Sequence, residues 1–273
     1  MALETRQTRT ETPPANSEVG IEPAKAARRL TESLSRGLEI LRCFSPSKPL
    51  LSNKEITLRT GLPKPTVTRL TATLLERGFL RKAADGRGFR LGSASLAVAY
   101  PLLANMSIRQ LMRRQMQGVA DHVGGSVGLS MLERTDMICV ESCRKFNAPD
   151  FLMDIGAAAP VWAGAEGWAA LAGIPPQRRA MLLEEIGRDH SAPYLAHRES
   201  IQRGIDSIVT FGYGVSHHGS GATHVSVPLR KPVNGEQMVV TCAIVSSEIR
   251  PGWVEQDVGP RLVTAVQNFS ASL

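Results

Sequence analysis

The chain has 273 residues, room for about two domains at roughly 150 residues each. With 42% hydrophobic and 21% charged residues it has the composition of a soluble globular protein with a sizeable core, which excludes a disordered or fibrous chain. The formal charge is +7, but residues 28–92 hold 14 Lys and Arg against 5 Asp and Glu, while 1–27 and 93–273 each come to −1. Positive charge concentrated in one segment is the footprint of a phosphate-binding surface.

Taken in order, residues 1–27 are rich in Thr, Glu, Pro and Ala without apolar periodicity, and a disordered tail is expected. A helix is predicted over 33–44, with Leu34, Leu38 and Leu41 on one face and Ile40 beside them. Residues 45–49 break it. From Ser52 to Arg77 two short helices join through a tight turn. Ser52 and Glu55 form a capping box, and Ile56 and Leu58 follow within that first helix. Gly61 supplies the left-handed residue of the turn, and Pro63 and Pro65 suit the start of a new helix. Val67, Leu70 and Leu74 make the second helix's apolar face. Pro65, Thr68, Arg69, Ala72 and Thr73 fall on the opposite arc, with Lys64 and Thr66 at its N-terminal flank. A helix with one apolar stripe and a small, polar, basic outer face suits reading of a DNA major groove, although an ordinary helical hairpin would share the stripe. Phe79–Lys82 and Arg87–Leu91 then read as strands joined by Ala83-Ala84-Asp85-Gly86, a hairpin that makes residues 28–92 a winged helix-turn-helix.

Residues 93–107 are expected to be a linker helix, kinked or ended near Pro101. Residues 108–273 alternate element types. A helix over 108–123 places Leu111, Met112, Met116 and Val119 inward and stops at Gly124-Gly125. Strands are expected over 126–133 and 137–145, with another over 151–155. Helices follow over 163–173, 175–186 and 197–211. Asn234-Gly235 marks a hairpin between strands over 225–230 and 238–246, and a final helix over 254–269 carries Val258, Leu262, Val266 and Phe269. Helices flanking a mainly antiparallel sheet make this half α+β.

Enzyme and metal chemistry have little support. Cys43, Cys139, Cys143 and Cys242 form no C-x-x-C pair and sit among apolar neighbours, as buried free thiols do. Glu141 and Glu166 as acids, or Cys139 and Cys143 as nucleophiles, lack partners that spacing can supply. His217, His218 and His224 lie near Cys242 in the same half, but adjacent strand residues point to opposite faces, and no H-x-E or H-E-x-x-H motif accompanies them. One of these histidines would hydrogen-bond a ligand carboxylate, or they are solvated loop residues. No phosphate loop or dinucleotide motif is present, so neither cofactor nor metal is expected. There is no secretory h-region and no apolar run of 18 residues, so a cytoplasmic protein without membrane contact is expected.

In this order the elements resemble the IclR family of bacterial transcriptional regulators from about Ser33 to the C-terminus. The N-terminal match lies in SLSRGLEILRCF, GLPKPTVTRLTATLLERGFL and GRGFRLG; DIGAAAPVWAGAEGWAALAG, FGYGVS, VSVPL and NGEQMVVTCAIVSS match more loosely. The resemblance implies a winged helix on operator DNA, a linker helix, and a GAF-like effector-binding and oligomerisation domain over 108–273, acting as a homodimer or dimer of dimers. It points to Ala163, Gly164, His217, His224, Ile244 and Ser246 in an effector pocket, and Leu129, Met131 and Cys139 join them as inward-facing strand residues. The implied effector is a small organic acid, aromatic ones included. Pro65 stands where the family usually has serine, Trp168 where lysine is common, and Ser216-His217-His218 where acidic residues are usual.

The expected function is therefore a sequence-specific transcriptional regulator whose affinity for DNA responds to a small molecule. Lys64, Thr66, Thr68, Arg69 and Thr73 would lie in or along the major groove, with Arg69 suited to a bidentate guanine contact. Arg36, Lys54, Arg59 and Arg87 would contact phosphate, and two-fold symmetry predicts a pseudo-palindromic operator. The alternative is a ligand-binding or enzymatic domain whose basic winged helix contacts another protein. A steep fall of affinity with salt separates the two.

Overall fold

The computed structural model describes residues 31–84, 86–148 and 154–270. The tail expected over 1–27 lies outside them. The chain divides into two compact units, residues 1–97 and 98–273.

The first unit contains α1 (Glu32–Arg42), α2 (Asn53–Thr60), α3 (Lys64–Glu76) and the two-stranded sheet of β1 (Leu80–Lys82) and β2 (Phe89–Leu91). Local chemistry sets the boundaries of α2. The Ser52 N–H donates to Glu55 Oε2 at 2.8 Å, and the Glu55 N–H donates to Ser52 Oγ at 3.3 Å. Gly61, at φ 67°, ends the helix in a conformation that a side chain disfavours. Ile40, Leu51, Ile56, Val67 and Leu80 form the core. Of the residues of the α1 stripe and its neighbour, Leu34 and Leu38 are exposed and only Ile40 is fully buried. In so small a core α1 packs mainly through its C-terminal turn. Leu58 is likewise exposed, on the outer side of α2. The hairpin is tied to the helices by a bridge between Leu51 and Phe89, whose N–H groups donate to each other's carbonyls at 3.1 and 2.8 Å.

Helix α4 (Ser93–Ala104) runs through Pro101 and contains no charged or buried residue. Helix α5 (Ser107–Val123) buries Ile108, Met112, Met116 and Val119, whereas Leu111, expected inward, is exposed. The rest of the second unit comprises β3 (Ser126–Glu133), β4 (Asp136–Arg144), β5 (Ala158–Pro160), α6 (Ala165–Gly173), α7 (Pro176–Asp189), α8 (Ser191–Phe211), β6 (Gly214–His218), β7 (Ala222–Pro228) and β8 (Met238–Val245). A short π-helical segment, Val254–Val258, leads into α9 (Gly259–Ser270). Residues 151–153 of the strand expected over 151–155 fall outside the described residues, and the strand found nearby is β5.

The six strands form one antiparallel sheet in the order β5-β4-β3-β8-β7-β6. One face packs on α5 and α9 through Val127, Leu129, Val225, Val240 and Ile244. The other carries α6, α7 and α8, with Leu132, Met137 and Val239 beneath them. A bulge between Leu129 and Ser130 makes Leu129 face Glu141 but Ser130 face Cys139. Across it Glu141 joins the α5 side and Cys139 the α6 side.

Candidate functional site

Two surfaces bear on function, one in each unit. On α3, Pro65, Thr68, Arg69, Ala72 and Thr73 are all exposed, while Val67 and Thr71 are buried. The Thr68 hydroxyl donates to the Lys64 carbonyl at 3.0 Å, and that of Thr73 to the Arg69 carbonyl at 3.2 Å, which leaves their oxygens as acceptors. Lys64 begins the helix, and the residue before it, Pro63, makes no side-chain cap, so the first-turn N–H groups lack that partner. Thr66 is half-buried beside it, and Arg69 and Thr73 border an apolar groove of about 710 Å³ that also takes in Leu34, Leu38, Leu70 and Leu74.

The residues expected at phosphate are placed less uniformly. Lys54 and Arg87 are exposed. Arg36 pairs with Glu32 at 2.7 Å, and Arg59 Nη1 donates to the Cys43 carbonyl at 2.9 Å, tying α2 to the end of α1. The sequence reading passed over Arg81, Lys82 and Arg90 on the hairpin. Arg81 and Arg90 face each other across the two strands, a like-charge pair that disfavours the isolated hairpin and suits an anion between them. Their charge was visible in the sequence, but the cross-strand register was not.

In the second unit a cavity of about 230 Å³ lies between the sheet and the N-terminal end of α6, lined by residues that include Pro160, Ala163, Gly164, Glu166, His218 and His224. Ser216 Oγ accepts the Ala165 N–H at 2.9 Å and lies 3.2 Å from His218 Nε2. The rings of His218 and His224 are 4.1 Å apart. Gly167 lets α6 approach so closely that a Cβ there would overlap the Val161 carbonyl. Burial raises the Glu166 carboxyl well above its ordinary range, only partly opposed by a hydrogen bond from Ser130. His224 is pushed down to about 4 by burial and then by its neighbour His218. Burial, and then His217, lowers His218 in the same direction. Cys139 is held up at about 12 by burial and then by Glu166. Burial thus pushes each of these groups toward its neutral form.

Of the nine residues expected around a ligand, Ala163, Gly164 and His224 line this cavity, and Cys139 faces the same side of the sheet. The other five lie on the opposite side of the sheet. Leu129, Met131 and Ile244 point into the core against α5 and α9. His217 bonds Thr223 Oγ1 at 2.9 Å, and Thr223 bonds Ser246 Oγ at 2.9 Å, which puts His217 and Ser246 on that opposite side as well. The physical reason is parity, since a strand phase wrong by one residue turns every side chain to the other face. The corresponding cavity-side neighbours are Ser130, Glu166, Ser216 and His218.

Sequence profiles accord with this architecture. The IclR helix-turn-helix domain matches residues 33–84, and the C-terminal domain of the bacterial transcriptional regulator IclR matches residues 101–271. The chain belongs to the IclR family of transcriptional regulators. It is 28% identical to the HTH-type transcriptional regulator TsaQ1/TsaQ2 of Comamonas testosteroni, over 89% of each chain. An IclR family transcriptional regulator from Brucella abortus has a solved structure that is 31% identical, with a TM-score of 0.76, covering 96% of this chain and 100% of that one. An IclR homologue from Microbacterium hydrocarbonoxydans, solved in complex with 4-hydroxybenzoate, shares the fold at 22% identity and a TM-score of 0.64, over 88% of this chain and 100% of its own. Among the described residues no helix is long and apolar enough to cross a membrane.

Proposed function

We propose that this IclR-family regulator binds a pseudo-palindromic operator as a homodimer or dimer of dimers, and that a small organic acid in the α6 cavity alters its grip on DNA. The observation that carries the DNA half is the exposed arc of α3, Lys64, Thr68, Arg69 and Thr73, on the unit that holds the excess positive charge. Arg69 can present two N–H donors to a guanine edge, whereas Thr68 and Thr73 offer hydroxyl oxygens whose protons are engaged by their own helix. The N-terminus of α3 presents N–H groups to a phosphate. Lys54 and Arg87, with Arg81 and Arg90, would set register on the backbone.

Apolar side chains in solvent support the association of copies. Leu96, Val98, Tyr100 and Leu102 on α4 are more than half exposed, as are Leu34 and Leu38 on α1. The effector half is supported by the cavity itself and by the 4-hydroxybenzoate found in the Microbacterium homologue. A route toward the linker helix starts on β4, where Cys139 faces the cavity side and Glu141 the opposite side. The buried Glu141 carboxylate takes Arg113 at 2.7 Å and Arg109 at 3.1 Å, and Arg109 also donates to the Leu103 carbonyl near the end of α4 at 3.1 Å. A shift of β4 would therefore reach α4 through one guanidinium.

Gel shifts on an operator selected from random DNA test the DNA half. Arg69→Ala should weaken binding by on the order of 1–3 kcal/mol and relax preference at one base pair. A variant that discriminates among sequences as well as the parent sinks the assignment.

A further inference from the structure

The cavity is unusual for an anion site in what it lacks. Among the described residues its wall holds Glu166, His218 and His224 but no lysine or arginine. Glu166 and His224 are both at least nine-tenths buried, His224 lines the cavity, and its buried Nε2 has no hydrogen-bond partner among the described residues. A buried polar nitrogen left in that state costs stability, and a ligand that bonds it removes the cost. The start of α6 lies beside it, so helix-end partial positive charge favours an anionic group there, and Gly164 and Gly167 leave the backbone bare.

We infer that the cavity takes monocarboxylates of about one ring, and that each enters together with one proton, which comes to rest on His224 and is donated through Nε2 to the ligand carboxylate. The inference rests on the reading of this cavity as the effector site and names what it accepts. Burial holds both imidazoles toward their neutral forms and Glu166 toward its protonated one. A carboxylate arriving alone would be an uncompensated buried charge, which a protein interior disfavours strongly. Protonating His224 cancels that charge and turns an unsatisfied acceptor into a charge-assisted donor.

The neighbours of His224 leave room for only one such proton. On β6, the His218 ring lies tilted against it with centroids 4.1 Å apart and already has Ser216 Oγ at 3.2 Å from its Nε2, so charging both rings sets like charges side by side. On α6, Glu166 contributes no positive charge in either of its states. On β4, the Cys139 thiol stays protonated. His217 faces away and bonds Thr223. A second carboxylate on the ligand would have no counterpart. Size sets the other bound, since a cavity of roughly 150 Å³ admits benzene and this one measures about 230 Å³.

Calorimetric titration of the full chain tests this, using benzoate, terephthalate, benzamide and benzylamine in buffers of differing ionisation enthalpy between about pH 5.5 and pH 8. Benzoate should bind with uptake of about one proton, its Kd rising about tenfold per pH unit, and terephthalate and benzamide should bind at least about tenfold more weakly. His224→Gln should abolish the proton uptake, and His217→Gln, on the neighbouring strand β6 and the other face of the sheet, should keep it. Benzoate binding without proton uptake, equal binding of terephthalate, benzylamine binding with proton release, or no binding of benzoate each overturns the inference. Gel shifts run alongside keep the two readings apart. Proton-coupled binding that leaves operator affinity unchanged defeats the effector reading alone. Operator release by some other ligand, with benzoate inert, defeats this inference alone.

Discussion

The two faces of the six-stranded sheet are made by the same strands, one residue out of step, and they bury different things. Toward α5 and α9 the strands present Val127, Leu129, Val225, Val240 and Ile244, an aliphatic layer with Glu141 as its buried charge. Toward α6 the same strands present Ser130, Ser216, His224, Ser226 and Thr241, all buried as well. An apolar layer stabilises through area removed from water. A polar layer gains little beyond the hydrogen bonds it completes, and here one nitrogen is left without any. On the proposed reading, stability and recognition are divided between opposite sides of one ladder, and either side can be altered separately.

The largest effect should come from the aliphatic side. Leu129→Ala should cost about 2–5 kcal/mol of unfolding free energy in urea titrations, and Ser130→Ala closer to about 1 kcal/mol. If the two cost the same, the division is wrong. Next comes Glu141→Ala, expected to cost on the order of 3 kcal/mol because it strands the mostly buried Arg109. It should also blunt any response of operator binding to ligand while leaving ligand binding intact, as calorimetry and gel shifts on one preparation would reveal.

The polar side should betray itself through pH. His224 is depressed to about 4, so its contribution to stability is full above the ordinary value near 6.5 and is lost as pH falls through about 4, at up to about 1.4 kcal/mol per pH unit. Glu166 is raised, so its contribution is full below its ordinary 4.5 and is lost as pH rises above that. As pH rises from about 4.5 the two effects therefore run in opposite directions. Relative to the parent, His224→Gln should lose stability with rising pH and Glu166→Gln should gain it. Superimposable profiles for all three proteins would mean that neither group titrates as described. The smallest effect belongs to the hairpin, where Arg81→Thr should slightly raise the thermal midpoint by relieving the pair with Arg90. It should also lower the salt slope of DNA binding by about one.

What the sequence revealed, and what it hid, follows the same line of parity. The capping box at Ser52 and Glu55, the left-handed Gly61 and the Asn234-Gly235 hairpin are decided by neighbours within a few residues, and all three stand as read. The apolar stripe expected over 254–269 is likewise as read, since Val258 in the π-helical segment and Leu262, Val266 and Phe269 on α9 are all buried. The ligand side failed at phase. Alternation requires that His217 and His218 face opposite ways, but which of them faces α6 depends on where that helix lands, a contact some fifty residues distant in the chain. Cys139 and Glu141 were harder still, because the bulge opposite Leu129 and Ser130 reverses their alternation. Strand β6 was missed as an element, since Gly214–His218 offers little of the alternating hydrophobicity that betrays a strand. On α1, periodicity puts Leu34, Leu38 and Leu41 on one face without saying what covers it, and Leu34 and Leu38 are exposed.

The ends of the sheet carry a last consequence. The outer strands are β5, three residues ending in Pro160, and β6, five residues with two histidines. An outer strand is a template on which another chain can hydrogen-bond, and short strands carrying proline or polar side chains are poor templates. Copies of this domain therefore have little backbone through which to zip edge to edge, even when crowded on neighbouring sites. Contact between them is left to side chains, whose fit can be loosened or tightened without disturbing a single ladder bond.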